Sequence, residues 1–172
     1  GHQHFGENKV QEAQEKWTSL KSDFPHLKLH LIGKLQTNKV KFALPLFDYI
    51  HSLDSIKLAE KISLEQKKKI FRPKIFIQIN LDKESQKSGI DEDQLKNFYE
   101  KCVNELNLNI IGIMCLPPFN KDPIPFFKRM KDLSDNFNFK EISMGMSNDY
   151  LEALKFKATY IRVGSKIFGN RS

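Results

Sequence analysis

Short apolar runs alternate with longer segments of helical periodicity along this chain. The runs predict strands over residues 29–32, 49–52, 74–80, 110–115, 141–144 and 160–163, with a very short strand at 4–5. Because these runs are almost continuously apolar rather than alternating in polarity, they are typical of parallel strands that are buried on both faces.

Apolar stripes predict helices between the strands. In the first helix, Val10, Ala13, Trp17 and Leu20 recur at helical intervals and fall on one face. A second helix is predicted over residues 55–69. Another is predicted to begin at Asp91, because an aspartate followed three residues later by a glutamine is a variant of the capping box.

Two further helices have recognisable start signals. Asp122 stands directly before a proline, which predicts an N-cap and a first-turn proline for a helix over residues 124–137. Ser147 is predicted to cap a helix that runs to residue 157, with Leu151 and Leu154 facing inward. Strands that alternate with helices in this way predict an α/β fold with a parallel sheet.

The 172 residues contain no repeat, low-complexity tract or linker that would divide the chain, so one domain is predicted over residues 1–172. The cysteines, Cys102 and Cys115, do not form a CxxC pair and are expected to stay reduced. The N-terminal residues lack the order of a secretion signal, and no apolar run approaches the roughly 20 residues of a membrane span. These features favour a cytoplasmic protein.

Basic residues outnumber acidic ones by 28 to 21, which gives a net charge of +7. Such a charge is compatible with a nucleic-acid partner, an anionic small molecule or solubility alone. The one dense basic run, at residues 67–69, ends a predicted helix, where cations complement the helix dipole. The phenylalanines have core-like spacing and are not interleaved with the basic residues as in a nucleic-acid reader. The net charge alone therefore does not distinguish a nucleic-acid partner from an anionic small molecule or from solubility.

Small and hydroxyl-bearing residues follow the last two predicted strands. The first loop contains Ser143, Gly145, Met146 and Ser147, and the second contains Gly164 and Ser165 before another apparent helix start. Active sites of α/β proteins form at the carboxyl ends of their strands. Glycine backbone N–H groups, hydroxyls and a helix N-terminus together suit a phosphate. Either loop alone is equally explained by a helix cap or a turn, but two on adjacent strands favour a phosphate site.

Arg162 lies inside an apolar strand, where a charge is costly unless it is paired. Arg162 either pairs with a carboxylate of the protein or donates hydrogen bonds to a ligand, through a ring nitrogen or an anionic group. Asn8 is a helix N-cap or a site residue, and Met114 lines a flat ligand or packs in the core. The five histidines form no HxH or HxxxH pair, so no metal site is predicted. No GxSxG, GxxxxGK[ST] or GxGxxG motif occurs, which leaves ATP-dependent and nicotinamide chemistry without support.

The segments FGENKVQEA, HLIGKLQTNKVK, IHSLDSIKLAEKI, QKSGI, SMGMSNDYLEAL and YIRVGSKIFGNR occur in this order over nearly the whole chain. Together they resemble the pyridoxal 5′-phosphate homeostasis protein family, single-domain relatives of the alanine racemase N-terminal barrel. The resemblance implies a TIM-type (β/α)8 barrel that carries pyridoxal 5′-phosphate (PLP).

The resemblance also assigns roles to residues of this chain. It implies that Arg162 faces the pyridine nitrogen and that Asn8 lies near the ring. Family-typical positions with less defined roles are occupied by Asn38, Lys39 and Lys87. The phosphate is expected on Ser143, Gly145, Met146, Ser147, Gly164 and Ser165.

This sequence departs from the family pattern at its start. In the family, the Schiff-base lysine lies on the first strand, upstream of FGEN, whereas this chain begins almost at FGEN. We therefore expect a barrel that is incomplete at the N-terminus, with its first β-strand/helix unit missing. Adding a unit of roughly 30 residues reaches the minimum of about 200 for such a barrel. PLP binding is then expected to be weak or non-covalent, with Lys34 or Lys39 as a less favoured substitute amine.

The sequence thus predicts a PLP-binding protein of vitamin B6 homeostasis, more a carrier than an enzyme. An arginine at the pyridine nitrogen disfavours the protonated ring that carbanion chemistry uses. PLP-dependent apo-enzymes are expected partners, and the oligomeric state is left open. The first alternative is a weak amino-acid racemase, which would exchange the α-proton of alanine with solvent. The second is a basic nucleic-acid-binding module, whose affinity would fall steeply with salt.

Overall fold

A computed structural model describes residues 1–68, 70–82 and 88–169 of the chain. The strands are β1 (His4–Glu7), β2 (Lys28–Leu31), β3 (Tyr49–Leu53), β4 (Lys74–Asn80), β5 (Ile90–Asp91), β6 (Ile110–Cys115), β7 (Glu141–Met146) and β8 (Tyr160–Arg162). The α-helices are α1 (Val10–Asp23), α2 (Val40–Ala43), α3 (Ile56–Lys68), α4 (Leu95–Glu100), α5 (Ile124–Phe137), α6 (Tyr150–Lys155) and α7 (Ser165–Phe168). Short 3-10 turns occupy Thr37–Lys39 and Glu92–Gln94, and Lys101–Glu105 forms a π-helical turn.

The strands form one parallel sheet in the order β1-β2-β3-β4-β6-β7-β8, with β5 paired beside β4. Strands and helices alternate along the chain, as in a (β/α)8 barrel. Within the described residues, no backbone pairing joins β1 to β8. The architecture is an incomplete (β/α)8 barrel, which confirms the fold expected from the sequence.

Two apolar layers hold this fold together. The larger layer contains fully buried side chains such as Leu29, Ile62 and Phe127, from the sheet and the helices. The smaller one consists of Tyr49, Phe76 and Met114, with Ile111 and Tyr160 packed against it. Because side chains alternate between the two faces of a strand, β3 contributes to both layers.

Several local predictions are confirmed. Strands β4 and β6 occupy the predicted residues, and helices α1, α3 and α5 form where the apolar stripes placed them. The predicted last residue of the 55–69 helix, Lys69, lies outside the described residues. The Ile124 backbone N–H donates to an Asp122 carboxylate oxygen at 3.0 Å, as expected of a capping aspartate. No helix in the described part of the chain is long and apolar enough to cross a membrane.

The helical segment predicted to begin at Asp91 does have Asp91 at its N-cap position, but it begins as a 3-10 turn and becomes α-helical only at Leu95. The predicted cap is wrong, because the Asp91 side chain makes no capping hydrogen bond. Pairing of Ile90 and Asp91 with β4 holds this segment in an extended conformation. An N-cap residue normally has this extended conformation, so the pairing is compatible with the predicted start.

The helix after β7 is also shorter than predicted. It covers Tyr150–Lys155 and follows Asp149, so Ser147 does not cap it. Leu151 and Leu154 are 59% and 48% exposed, so the prediction that they face inward is wrong. Ala153 is the residue of this helix that is buried against the sheet, and helical geometry then turns both leucines away from it.

Candidate functional site

The loops that follow β7 and β8 touch each other at the carboxyl rim of the barrel. The Gly164 N–H donates a hydrogen bond to Ser147 Oγ at 3.2 Å. Ser147 is buried, whereas Gly164 and Ser165 are exposed. Among the described residues, nothing lies within 4 Å of a Cβ placed on Gly164, so they leave the space beside this amide open. The two loops predicted to hold a phosphate are therefore neighbours, with room next to their contact.

Gly145, near the end of β7, shapes the strand end from which the first of these loops starts. Its φ of +91° is accessible to glycine but strained for other residues. A Cβ at this position would stand 2.7 Å from the Cβ of Ala153, so the missing side chain also lets α6 pack closely on β7. The next residue, Met146, is exposed, and its N–H donates to Asp149 Oδ1 at 2.6 Å. This turn is held by its own hydrogen bond and leaves Ser147 Oγ to the contact with Gly164.

Arg162, at the end of β8, is held by two acceptors and not by a carboxylate. Its Nη1 donates to Ser143 Oγ at 2.6 Å, and its Nη2 donates to the Cys115 carbonyl oxygen at 2.9 Å. Burial lowers the pKa of Arg162, while nearby Cys115 and Asp149 act in the opposite direction. An arginine remains protonated in proteins, so this guanidinium is a fixed cation between β6 and β7.

A row of histidines, which sequence analysis missed, continues from Ser143 across the barrel interior. Ser143 Oγ lies 2.8 Å from His51 Nδ1, and His51 Nε2 lies 2.9 Å from His30 Nδ1. His30 Nε2 in turn lies 2.8 Å from His4 Nδ1. We call His4, His30 and His51 the imidazole row. No local motif marks it, but each member occupies a strand and alternates with residues that face the helices.

Aromatic rings flank the imidazole row. His30 stacks on Tyr49 with 4.0 Å between ring centroids, and His51 stacks on Phe76 at 4.3 Å. Burial is the main cause that lowers the pKa of His30, to about 4, and the neighbouring His4 adds to it. Burial likewise holds the pKa of His51 well below its usual value. Both imidazoles are therefore neutral near neutral pH.

The other predicted site residues belong to other elements of the chain. Asn8 is exposed directly after β1, and Asn38 is exposed in the 3-10 turn that also contains the half-buried Lys39. Met114 is fully buried in the cluster with Tyr49 and Phe76 inside the barrel. Lys87 lies outside the described residues.

A cavity of about 400 Å³ opens beyond the carboxyl ends of β2, β4 and β6. Its lining includes Lys34, Gln78 and Cys115, and the carbonyl of Cys115 is the group that Arg162 holds. Burial raises the pKa of the Cys115 thiol to about 12, so it stays protonated. The residues predicted to hold the phosphate do not belong to this lining.

These features define an α/β-barrel protein with a candidate anion site between its last two strand ends. A family model described as "Alanine racemase, N-terminal domain" matches residues 1–172, so the chain belongs to that family. It is 35% identical to the pyridoxal phosphate homeostasis protein of Aquifex aeolicus, over 97% of this chain and 76% of the relative. The human protein of that name is also 35% identical, over 99% of this chain and 69% of the relative.

Solved structures support the same family. PipY of Synechococcus elongatus PCC7942, solved without PLP, is 35% identical and superposes with a TM-score of 0.92, covering 98% of this chain and 83% of PipY. PipY with PLP bound gives a TM-score of 0.88 over 98% of this chain and 82% of PipY. An alanine racemase of Clostridium difficile 630, at 14% identity and a TM-score of 0.73, covers 99% of this chain and 46% of the racemase, and shares the fold.

Proposed function

We propose that this chain, as one PLP-binding unit over residues 1–172, binds PLP non-covalently and takes part in vitamin B6 homeostasis in the cytoplasm. The observation that carries the proposal is the hydrogen bond between Gly164 and Ser147, which joins two loops of the kind that bind phosphate. The names of its relatives and the PLP bound to PipY support the same ligand.

The phosphate end of PLP fits the donors of these loops. Ser147 Oγ accepts from the Gly164 N–H, so its own hydroxyl proton is available to a phosphate oxygen. The open space beside Gly164 gives an anion access to this contact. Ser165, which begins α7, adds a second exposed hydroxyl. The nearby Asp149 carboxylate accepts from Met146 N–H, which reduces its repulsion of an anion.

The ring end of PLP fits Arg162. A guanidinium has five N–H donors and no acceptor, and two of those donors serve Ser143 and Cys115. Because the guanidinium can donate a hydrogen bond but cannot accept one, it is a suitable partner for the pyridine nitrogen of PLP when that nitrogen is unprotonated. PLP supplies an aldehyde and an electron-poor ring, and its carbanion chemistry is favoured when the ring nitrogen is protonated. Arg162 opposes that protonation, which favours a carrier over an enzyme.

We expect no covalent attachment in this chain. Lys34 lines the cavity beside Cys115, and Lys39 is half-buried, so these are the amines to examine. Incubation with PLP followed by borohydride reduction should leave the protein mass unchanged. An added mass that disappears in Lys34→Ala or Lys39→Ala would show that a substitute lysine bonds to the cofactor.

The phosphate site is tested by equilibrium dialysis with PLP and with pyridoxal, which lacks the phosphate. Ser147→Ala removes a hydroxyl that donates to an anion, so PLP affinity should fall about tenfold. Lys68→Ala, at the end of α3, is the control for the general effect of charge and should change affinity less than about twofold. For pyridoxal, Ser147→Ala should have no effect.

The results separate specific binding from electrostatic attraction. Equal losses in the Ser147 and Lys68 variants would show that PLP binds through general charge and not at the proposed loops. An equal loss of pyridoxal affinity in Ser147→Ala would show that this hydroxyl does not contact the phosphate.

Delivery of PLP to PLP-dependent apo-enzymes is the further part of this proposal. Weak, non-covalent binding permits rapid release, which a donor needs. The PLP-loaded chain should reactivate an apo-enzyme at least as fast as an equal concentration of free PLP. Slower reactivation would show that the chain sequesters PLP and does not deliver it.

A further inference from the structure

The imidazole row connects opposite ends of the barrel interior. His4 begins β1 and is exposed, whereas Arg162 ends β8 at the carboxyl rim. Between them, His30, His51 and Ser143 are buried, and each of the four links is between 2.6 and 2.9 Å long. These are ordinary hydrogen-bond lengths, so the groups form one continuous chain across five strands.

The chemistry of Arg162 determines the direction of this chain. Because a guanidinium only donates, Ser143 Oγ must accept from Arg162. The hydroxyl proton of Ser143 then needs an acceptor, and within the described residues the atom at hydrogen-bond distance is His51 Nδ1. A neutral imidazole has one N–H and one acceptor nitrogen. His51 therefore accepts at Nδ1 and carries its proton on Nε2.

The tautomer of His51 determines the next two hydrogen bonds of the row. His51 Nε2–H donates to His30 Nδ1, so His30 also carries its proton on Nε2 and donates to His4 Nδ1. If donors and acceptors were reversed along the row, His51 would donate to Ser143, and the Ser143 hydroxyl proton would have no acceptor. Ser143 is fully buried, and an unpaired buried donor is energetically costly. One arginine thus selects the tautomer of two buried histidines on other strands.

We propose that the imidazole row is a directed hydrogen-bond chain that fixes the guanidinium of Arg162 in its ligand-facing orientation, with His51 and Ser143 as positioning residues. The row supplies the acceptor that the Ser143 hydroxyl proton needs, and Ser143 Oγ accepts one N–H of Arg162 Nη1. With Nη2 held by the Cys115 carbonyl, the guanidinium plane cannot rotate. The inference rests on the proposed function for its ligand, PLP, but its first test needs no ligand.

The surroundings of the row favour its neutral form. The charged groups that act on the row are Lys74 of β4, Arg162 of β8 and Asp48 before β3, and two of these three are cations. The phenols of Tyr49 and Tyr160 lie against the rings, and the Tyr160 hydroxyl is directed to Tyr49 at 3.5 Å. An added proton on the row would face Lys74 at one end and Arg162 at the other.

The first test measures histidine tautomers without PLP. Long-range proton–nitrogen NMR of protein labelled with ¹⁵N-histidine, at neutral pH, should show His30 and His51 as neutral Nε2–H tautomers. The signals are assigned with His30→Gln and His51→Asn, and exposed His26 serves as the reference ring. An Nδ1–H tautomer or an imidazolium at either buried position would overturn the proposal.

The second test compares two buried serines. Ser143→Ala removes the link between the row and Arg162, whereas Ser52→Ala removes a buried hydroxyl that has no hydrogen-bond partner among the described residues. Ser143→Ala should convert His51 to a mixture of tautomers and lower PLP affinity about tenfold. Ser52→Ala should change neither. Equal effects in the two variants would overturn the proposal.

A third comparison separates positioning from packing. His51→Asn keeps an acceptor near the position of Nδ1, whereas His51→Leu fills the space without one. PLP affinity should fall less than about threefold in the Asn variant and about tenfold in the Leu variant. Equal losses would show that His51 serves only packing. If the wild-type chain does not bind PLP at all, the proposed function fails, and the tautomer measurement still decides whether the row exists.

Discussion

The two faces of this sheet bury side chains of opposite character. The face toward the helices contains aliphatic and aromatic side chains, such as Leu29, Ile62 and Phe127, that need no polar partner. The face toward the barrel interior combines aromatic rings with His30, His51 and Ser143, each of which is hydrogen-bonded. Buried polar groups contribute little net stability but are costly when a partner is lost. The layer that faces the helices, here called the outer layer, therefore supplies most of the stability. The layer that faces the barrel interior, here called the inner layer, fixes the orientation of its polar side chains.

The largest expected effect belongs to the outer layer. Phe127→Ala removes a fully buried ring from α5 and should lower the free energy of unfolding by about 3–5 kcal/mol. Phe119→Ala is the matched control, because this ring is 88% exposed and should cost less than about 0.5 kcal/mol. Urea unfolding measures both values. Similar costs would mean that the outer layer does not dominate stability.

The inner layer should make stability depend on pH. The pKa of His30 is about 4 in the folded chain and about 6.5 when unfolded, so the unfolded chain binds more protons between these values. Stability should therefore fall as the pH drops from 6.5 toward 4, by up to about 1.4 kcal/mol per pH unit. Above pH 6.5 this contribution is constant.

Urea unfolding at several pH values tests this dependence. His30→Gln should flatten the slope between pH 6.5 and 4, whatever its cost at neutral pH. His26→Gln, which replaces an exposed histidine, should keep the wild-type slope. A wild-type slope in the His30 variant would show that this imidazole does not resist protonation in the fold.

The smallest effect distinguishes two glycines of the candidate site. Gly145→Ala meets a positive φ and the Cβ of Ala153, so it should cost about 1–3 kcal/mol of stability. Gly164→Ala meets no neighbour in the part of the chain that the structure describes and should change stability by less than about 0.5 kcal/mol. Its methyl group enters the proposed phosphate space, so PLP affinity should fall.

Thermal unfolding and equilibrium dialysis together measure these two effects. The comparison fails if Gly164→Ala binds PLP as well as the wild type, or if Gly145→Ala is as stable as the wild type.

Sequence patterns predicted the outer layer well because its signals are local. Strands β4 and β6 are continuous apolar runs, and their bounds match the structure. The stripe on α1 identified Val10, Ala13 and Trp17, which are buried, but its fourth member, Leu20, is 39% exposed. Such patterns do not say which face of a short helix is covered. On α6 the close approach of Ala153 to Gly145 decides this, and Leu151 and Leu154 are exposed as a result.

The inner layer depends on residues far apart in sequence. His51 and Ser143 are separated by 92 positions and meet because the barrel brings β3 and β7 together across its interior. No spacing rule links them, so the sequence left the histidines without a role. The contact between Ser147 and Gly164 was predictable in part, because both follow consecutive strands whose ends share one rim. The roles of Asn8, Asn38 and Lys39 toward a ligand stay predictions.

Gly33, just after β2, constrains how this rim could be redesigned. A Cβ there would overlap the backbone carbonyl of Asn8 and could be accommodated only by shifting the segment after β1. The backbones of the turns after β1 and β2 are thus in direct contact at Gly33 and Asn8. A substitution that moves one turn therefore requires the other turn to move as well. Engineering toward new ligands has more freedom beside Gly164, where the main chain has no such neighbour.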